Sequence, residues 1–255
     1  MRKKTRTWEE EQEYVKSRWL EASKNHEMQV VYDDGCRREV IFKSPGSGDH
    51  WFGLKTWPWH ICIYGDIGTY VFSRVEDMFT FFRRDELSVN EGYWHEKLKS
   101  ISRFGGDKEF SISRFREVIR SAFESYCSYS HDVEDLKELE MSEEDLKEKL
   151  YLDEHDIALR RELQSLWEEI ESDVIGRAED DGNEYSAYDH AYGFRSYDTD
   201  LKPRLDFSDC DLWDYGGFTD YTFQYRFVLY AIVWGIQKYD SEKDKGEVVE
   251  NVTNS

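Results

Sequence analysis

The sequence predicts an α+β fold in which an antiparallel sheet of hairpins packs against several helices, with an acidic helical excursion. Three observations support this prediction: short β-prone segments joined by Asp/Gly turns, apolar residues at helical spacing farther along the chain, and many aromatic residues. The 255 residues include 9 Trp, 17 Tyr and 15 Phe. Because each such ring buries about 150–250 Å², a substantial core is expected although 35% of the residues are charged.

The N-terminal part, residues 1–130, is predicted to contain the hairpins. An amphipathic helix from Trp8 to Lys24 comes first, because strong helix formers accompany apolar residues near helical spacing. Strands at 28–32 and 38–42 flank Asp33-Asp34-Gly35, and strands at 60–64 and 69–73 flank Gly65-Asp66-Ile67-Gly68. Asp and Gly favour tight turns, so each pair of strands is expected to form a hairpin.

Helices are predicted for the rest of this part. Short helices are expected at 75–84 and 91–100, and a longer one runs from Ser111 or Ser113 through Tyr126. In the longer helix the apolar residues recur every three or four positions, which is typical of a helix face that packs on a core.

The composition changes abruptly after residue 130. Residues 131–176 are expected to form an acidic helical excursion of two short helices and one longer helix, with Ser142 as an N-cap. Residues 177–240 are predicted to be an irregular acidic loop, with one short strand at 204–207, followed by a buried helix at 219–239 that completes the main domain. The polar tail 241–255 is predicted to be disordered.

The charge balance limits the classes of partner. The chain has 55 acidic and 34 basic residues, a formal net charge of −21 at pH 7. Such a field repels phosphate backbones and anionic lipid surfaces, so we expect neither direct nucleic-acid binding nor membrane binding. The charged N-terminal segment lacks the apolar core of a secretory signal, and the apolar run 227–236 is too short to span a bilayer. A cytoplasmic protein is therefore expected.

Motifs for catalysis or cofactor binding do not stand out. The sequence contains no G-x-S-x-G, P-loop, G-x-G-x-x-G or H-E-x-x-H pattern. The four cysteines form no C-x-x-C pair, so free thiols are expected and no metal site is assigned. These observations favour a non-enzymatic protein without a cofactor.

Two groups of carboxylates are candidate sites. Carboxylates spaced over a rigid surface can imitate the phosphates of duplex DNA, which carries one charge per roughly 1.7 Å of helix axis. The first candidate is a binding surface in the excursion, formed by Glu138, Glu140, Glu143, Glu144, Asp145 and Glu148.

The second candidate is a carboxylate cluster in the irregular loop. Clustered carboxylates can hold Mg²⁺ or Ca²⁺, or can act as an acid and base pair. This cluster comprises Asp198, Asp200, Asp206, Asp209, Asp211 and Asp214, with His190 as a possible helper. Its spacing does not fit an EF-hand loop, and a solvated loop without a site is the plainer interpretation.

Two segments resemble uncharacterised proteins encoded by bacteriophages and prophages. They are WPWHICIYGDIGTYVFSRVEDMFTFFR at 57–83 and FTDYTFQYRFVLYAIVWGIQKYD at 218–240, about a fifth of the chain. The resemblance implies an accessory phage protein acting inside a bacterial host cell, a setting in which proteins that bind and disable host defence machinery, including DNA mimics, are common. It assigns no functional residues.

The favoured hypothesis is a phage-encoded acidic protein that binds and inhibits a bacterial defence or nucleic-acid-processing protein, with DNA mimicry as one route. The alternative is a metal-dependent hydrolase of nucleotides or nucleic acid that uses the Asp198–Asp214 carboxylates. A virion-associated structural protein is the third hypothesis.

Overall fold

The computed structural model describes residues 7–102, 106–133, 135–195, 205–207, 212 and 217–246. The chain divides into two compact units: unit 1 is Met1–Glu109 with Tyr221–Ser255, and unit 2 is Phe110–Asp220. The predicted α+β class is confirmed, since a six-stranded antiparallel sheet accompanies many helices.

The first elements along the chain, all in unit 1, are α1 (Trp8–Ser23), β1 (Glu27–Asp34), β2 (Arg37–Lys43), β3 (Phe52–Trp57), β4 (His60–Gly65), β5 (Tyr70–Ser73), α2 (Met78–Phe82), α3 (Glu91–His95) and β6 (Leu98–Ile101). The next elements along the chain are β7 (Lys108–Phe110), α4 (Ile112–His131), a 3₁₀ helix (Leu136–Glu140), α5 (Glu143–Lys149), α6 (Glu154–Ile170), a π-helical segment (Glu171–Gly176), α7 (Arg177–Asp181), α8 (Glu184–Gly193), β8 (Thr219–Tyr221) and α9 (Phe223–Asp244).

The sheet of unit 1 has its strands in chain order, β1-β2-β3-β4-β5-β6, and β7 pairs separately with β8. Val40 lies opposite Leu54, and Leu54 lies opposite Ile63. Since side chains alternate along a strand, these three residues share one face, and all are fully buried.

Helix α9 is buried on nearly all sides and forms the centre of the core of unit 1. A Cβ placed on its Gly235 would lie 3.0 Å from Leu54 Cδ1 and 3.1 Å from Phe42 Cε2. The helix therefore packs tightly against the sheet at a position without a side chain. The indole of Trp19 on α1 meets Phe227 and Trp234 edge-on, at centroid distances of 5.0 and 5.8 Å.

The core of unit 2 is built from helices. The predicted face of α4 is buried, including Phe115, Ile119 and Phe123, and Phe123 stacks on Trp167 of α6 with ring centroids 5.1 Å apart. Ser142 caps α5 as predicted, because its Oγ accepts the backbone N–H of Asp145 at 3.1 Å.

Several predicted elements are corrected. The helix expected at 91–100 ends at His95, and the chain then joins the sheet as β6. Strand β3 was not predicted, and the helix expected from residue 219 begins at Phe223 after β8. Within the predicted tail, residues 241–244 continue α9. None of the helices in the described residues has the length and apolarity needed to span a bilayer.

The segment predicted to be irregular is also corrected. Its described residues include α7 and α8, while residues 205–207 do not form the expected strand. Apolar residues of α8, among them Ala187 and Ala191, are fully buried in the core of unit 2. The units divide the chain at 109/110 and 220/221, so the acidic excursion lies inside a larger unit that also contains α4, α7 and α8.

Candidate functional site

The negative charge of the chain is concentrated in unit 2. Residues 110–220 carry 31 acidic and 12 basic side chains, a net charge of −19, whereas the other residues carry 24 acidic and 22 basic side chains, a net charge of −2. Nearly all of the total of −21 therefore belongs to 111 residues. This partition makes unit 2 the first candidate for an electrostatic binding surface.

Glu138 is not part of an open acidic surface. Its Oε2 accepts hydrogen bonds from Nη2 and Nε of Arg160 at 2.8 and 3.0 Å. Arg160 is only 6% exposed, so its charge needs this carboxylate as a partner. The pair joins the 3₁₀ helix to α6 and gives Glu138 a structural role.

Two further predicted carboxylates are paired at the surface. Asp145 Oδ1 lies 2.8 Å from Lys149 Nζ, and Glu143 Oε1 lies 3.8 Å from Arg161 Nε. The hydrogen bond from Lys149 lowers the pKa of Asp145, so this carboxylate stays ionised at neutral pH. Exposed pairs of this kind exchange readily with water and with other charged groups.

The other three predicted carboxylates, Glu140, Glu144 and Glu148, are exposed. No Lys, Arg or His nitrogen of the described residues lies within 4.0 Å of them. Glu144 and Glu148 are four residues apart on α5 and therefore share a face of the helix. The fully buried side chain of Leu146 anchors α5, so these carboxylates stand on a supported element.

Only Asp206 of the second predicted cluster is among the described residues; Asp198, Asp200, Asp209, Asp211 and Asp214 lie outside them. Asp206 Oδ1 lies 3.3 Å from Arg195 Nη1. The same nitrogen donates to the carbonyl oxygens of Tyr192 and Phe194 at 2.9 and 2.6 Å. A divalent cation at Asp206 would have to compete with this guanidinium.

Arg195 also lines a polar cavity of about 310 Å³ in unit 2, together with His190, Arg177 and Asp173. His190 Nε2 lies 2.7 Å from Asp181 Oδ2, and Arg177 Nη2 lies 3.3 Å from Asp173 Oδ1. Each of these basic groups is thus already beside a carboxylate. Among the described residues, those that line the cavity carry no hydroxyl or thiol, so none of them offers the His–Asp pair a nucleophile to activate.

Local structure explains how His190 meets Asp181, a partner that was not identified from the sequence. Helix α7 ends at Asp181 and is followed by Gly182, whose φ is +65°, and Asn183 then caps α8 through its side chain. The chain reverses at this break, which brings two residues nine positions apart into contact. The Gly-Asn pair at 182–183 is the sequence signal that could have revealed this break.

In the described residues, one group of three possible metal ligands comes together: Asp153, His155 and Asp156 at the start of α6. Asp153 Oδ1 accepts the backbone N–H groups of His155 and Asp156 at 2.8 and 2.9 Å. Asp153 is therefore the N-cap of the helix, and these hydrogen bonds, that from Asp156 foremost, lower its pKa. Capping accounts for the position of Asp153 without a metal.

Comparison of the chain with protein-family models, with curated proteins and with solved structures yields no match in any of the three.

Proposed function

We propose that the protein is a non-enzymatic inhibitor whose acidic unit 2 binds the basic surface of a bacterial defence or nucleic-acid-processing protein. The observation that carries this proposal is the partition of charge, −19 on unit 2 against −2 on the remaining residues. The resemblance of 57–83 and 218–240 to phage-encoded proteins supplies the biological setting.

Charge separation of this degree favours binding over mere solubility. A protein that needs charge only for solubility can distribute it over its whole surface, whereas a partner that normally binds phosphates is attracted by a concentrated negative field. Glu140, Glu144 and Glu148 place exposed carboxylates on this unit, and no basic group in the described part of the chain lies within 4.0 Å of them. Occupation of a nucleic-acid-binding surface would then inhibit the partner by competition.

Affinity capture from a bacterial lysate at low and high salt tests the proposal. We expect a stoichiometric host protein at low salt that is lost at high salt, because screening weakens attraction between exposed charges. The purified partner is then titrated with duplex DNA in the presence of the protein, and DNA mimicry predicts mutual exclusion. No retained protein at either salt concentration, or simultaneous binding of DNA and protein, would contradict this function.

A matched pair of variants assigns the surface. Glu140→Lys, Glu144→Lys and Glu148→Lys together change the net charge by the same amount as Glu27→Lys, Asp49→Lys and Glu86→Lys, which alter exposed carboxylates of unit 1. We expect the first triple variant to weaken partner binding at least about tenfold, which corresponds to about 1.4 kcal/mol, and the second to have a much smaller effect. Equal losses would indicate a response to net charge alone and no localised binding surface.

A further inference from the structure

Unit 1 contains a surface cavity of about 360 Å³ that none of the predicted sites includes. Helix α1 forms one wall, the segment before β3 and the β4–β5 turn form another, and the first turns of α9 complete it. This volume lies within the range of about 300–1,000 Å³ that is typical of small-molecule sites. The cavity combines an apolar floor with charged groups at its rim.

Aromatic rings form the floor. Phe223 and Phe227, one turn apart on α9, stack with centroids 5.4 Å apart. Phe227 is 4% exposed, but Phe223 is 37% exposed although it is a large apolar residue. The buried Ile67 lines the cavity beside them. An apolar or aromatic group that entered here would cover the open ring of Phe223 and remove apolar surface from water.

Opposite charges stand at the rim of the cavity. Arg18 and Glu21 lie one turn apart on α1, and both line the cavity. Neither belongs to an ion pair within 4.0 Å among the described residues, so the guanidinium and the carboxylate are both available to a ligand. Charged groups that already satisfy each other would have to be separated first, and here that cost is absent.

In the segment before β3, which lines the cavity, His50 has an uncommon backbone conformation. His50 has a φ of +57°, which a residue other than glycine seldom adopts. Its backbone N–H donates to Asp66 Oδ2 at 2.7 Å. Its carbonyl oxygen accepts from His26 Nε2 at 3.0 Å, while His26 Nδ1 accepts from the Ser44 hydroxyl at 3.1 Å. These hydrogen bonds hold the His50 backbone and the Asp66 carboxylate in place beside the cavity.

We infer that this cavity binds a free α-amino acid with an aromatic or branched apolar side chain. The side chain would cover Phe223, the α-carboxylate would pair with Arg18, and the ammonium group would pair with Glu21. A purely apolar ligand would leave both charges unused, and a simple anion would face the carboxylates of Glu21 and Asp66. A ligand with both charges and an apolar group complements Arg18, Glu21 and the ring of Phe223 together. This inference concerns unit 1 and does not depend on the function proposed for unit 2.

Calorimetric titration of the full chain with L-phenylalanine tests the inference. We expect saturable binding with a Kd tighter than about 1 mM. N-acetyl-L-phenylalanine, which imitates a C-terminal residue, and L-phenylalaninamide, which imitates an N-terminal residue, should each bind at least about tenfold more weakly, because each lacks one of the two charges. Binding of either analogue as tightly as the free amino acid would overturn the inference in favour of a peptide terminus.

Arg18→Gln should weaken binding of L-phenylalanine at least about tenfold and leave binding of L-phenylalaninamide nearly unchanged, because the amide has no carboxylate. Lys24→Gln, which removes the same charge at the end of α1 outside the cavity, is the matched control and should bind like the unaltered protein. Circular dichroism verifies that both variants are folded. No saturable heat with L-phenylalanine up to about 10 mM, or equal affinity of the two variants, would refute the site.

Discussion

Replacing Arg226 by Met tests whether a buried ion pair holds three helices of unit 1 together. Arg226 on α9 and Glu91 at the start of α3 are 3% and 8% exposed, and Arg226 Nε lies 2.7 Å from Glu91 Oε2. The carboxylate also accepts hydrogen bonds from Trp8 Nε1 at 2.7 Å and from Gln12 Nε2 at 2.8 Å, both on α1. One carboxylate thus connects α1, α3 and α9.

The expected loss follows from what the substitution leaves behind. Met fills much of the volume of the Arg side chain but strands the buried charge of Glu91, and removing one partner of a buried pair costs about 3–5 kcal/mol. Arg83→Met is the matched control. It breaks a pair with Asp240 at 2.7 Å, but those side chains are 42% and 32% exposed, and exposed pairs contribute about 0–1 kcal/mol.

Urea unfolding followed by tryptophan fluorescence measures both variants. Seven of the nine tryptophans lie in unit 1, so the fluorescence reports mainly on that unit. Adding Glu91→Gln to Arg226→Met removes the stranded charge and should recover part of the free energy of unfolding. If Arg226→Met costs no more than Arg83→Met, the argument from buried charge is wrong.

Four further predictions concern packing, pH, thiol chemistry and metal binding. Gly235→Leu should lower the free energy of unfolding by about 1–3 kcal/mol in urea titrations, because the added side chain overpacks the contact with the sheet. Burial opposes ionisation of Asp77, but hydrogen bonds from Arg38 outweigh it and lower the pKa of Asp77. The contribution of Asp77 to stability is therefore complete above the pKa of the unfolded state, about 4, and is lost as the pH falls through the lower pKa of the folded state. Melting curves between about pH 5 and 2.5 should therefore show a weaker acid dependence for Asp77→Asn than for the unaltered protein. Burial raises the pKa of the Cys127 thiol to about 12, so iodoacetamide at pH 8 should label it only after denaturation, as mass spectrometry of peptides will show. Calorimetry with Mg²⁺ or Mn²⁺ should give no site that is lost in Asp206→Asn, and such a site would instead favour the hydrolase hypothesis.

The two hairpins could be predicted because their signals are local. Turn residues such as Gly65 and Gly68, with φ of +131° and +96°, are required by the geometry of the turn itself. Strand β3 was missed because its sequence, FGLKTW, lacks a continuous run of β-formers. It becomes a strand because β2 and β4 pair with it on both sides. That stabilisation comes from residues distant in the sequence.

Helix α8 is an element that hydrophobic periodicity could not predict. Its sequence, EYSAYDHAYG, has no clear apolar face, so periodicity favoured a loop. Asn183 caps the helix through its side chain, and Ala187 and Tyr188 are buried in the core of unit 2. Two alanines and one tyrosine are enough to pack this helix on the core, although they give its sequence almost no hydrophobic periodicity. Tertiary packing outweighed the weak local preference.

The candidate carboxylates of the acidic excursion also show what could and could not be predicted from the sequence. Their identity and their position on capped helices could be read from residues 131–176, as the Ser142 cap confirms. Whether a carboxylate is available to a partner could not be read in this way. Glu138 and Glu140 are two positions apart in similar sequence, yet Glu138 neutralises the buried Arg160 and Glu140 is exposed.

The sequence by itself determined the α+β class, the total charge of −21, the two hairpin turns and the Ser142 helix cap, because these depend on composition or on neighbouring residues. The tertiary structure alone decided which carboxylates are used internally, where β3 and α8 form, and that unit 1 is nearly neutral while unit 2 carries most of the charge. These properties depend on which distant segments fold together. Residues 221–255 join residues 1–109 across 111 intervening residues, and buried pairs such as Arg226–Glu91 exist only once those segments meet.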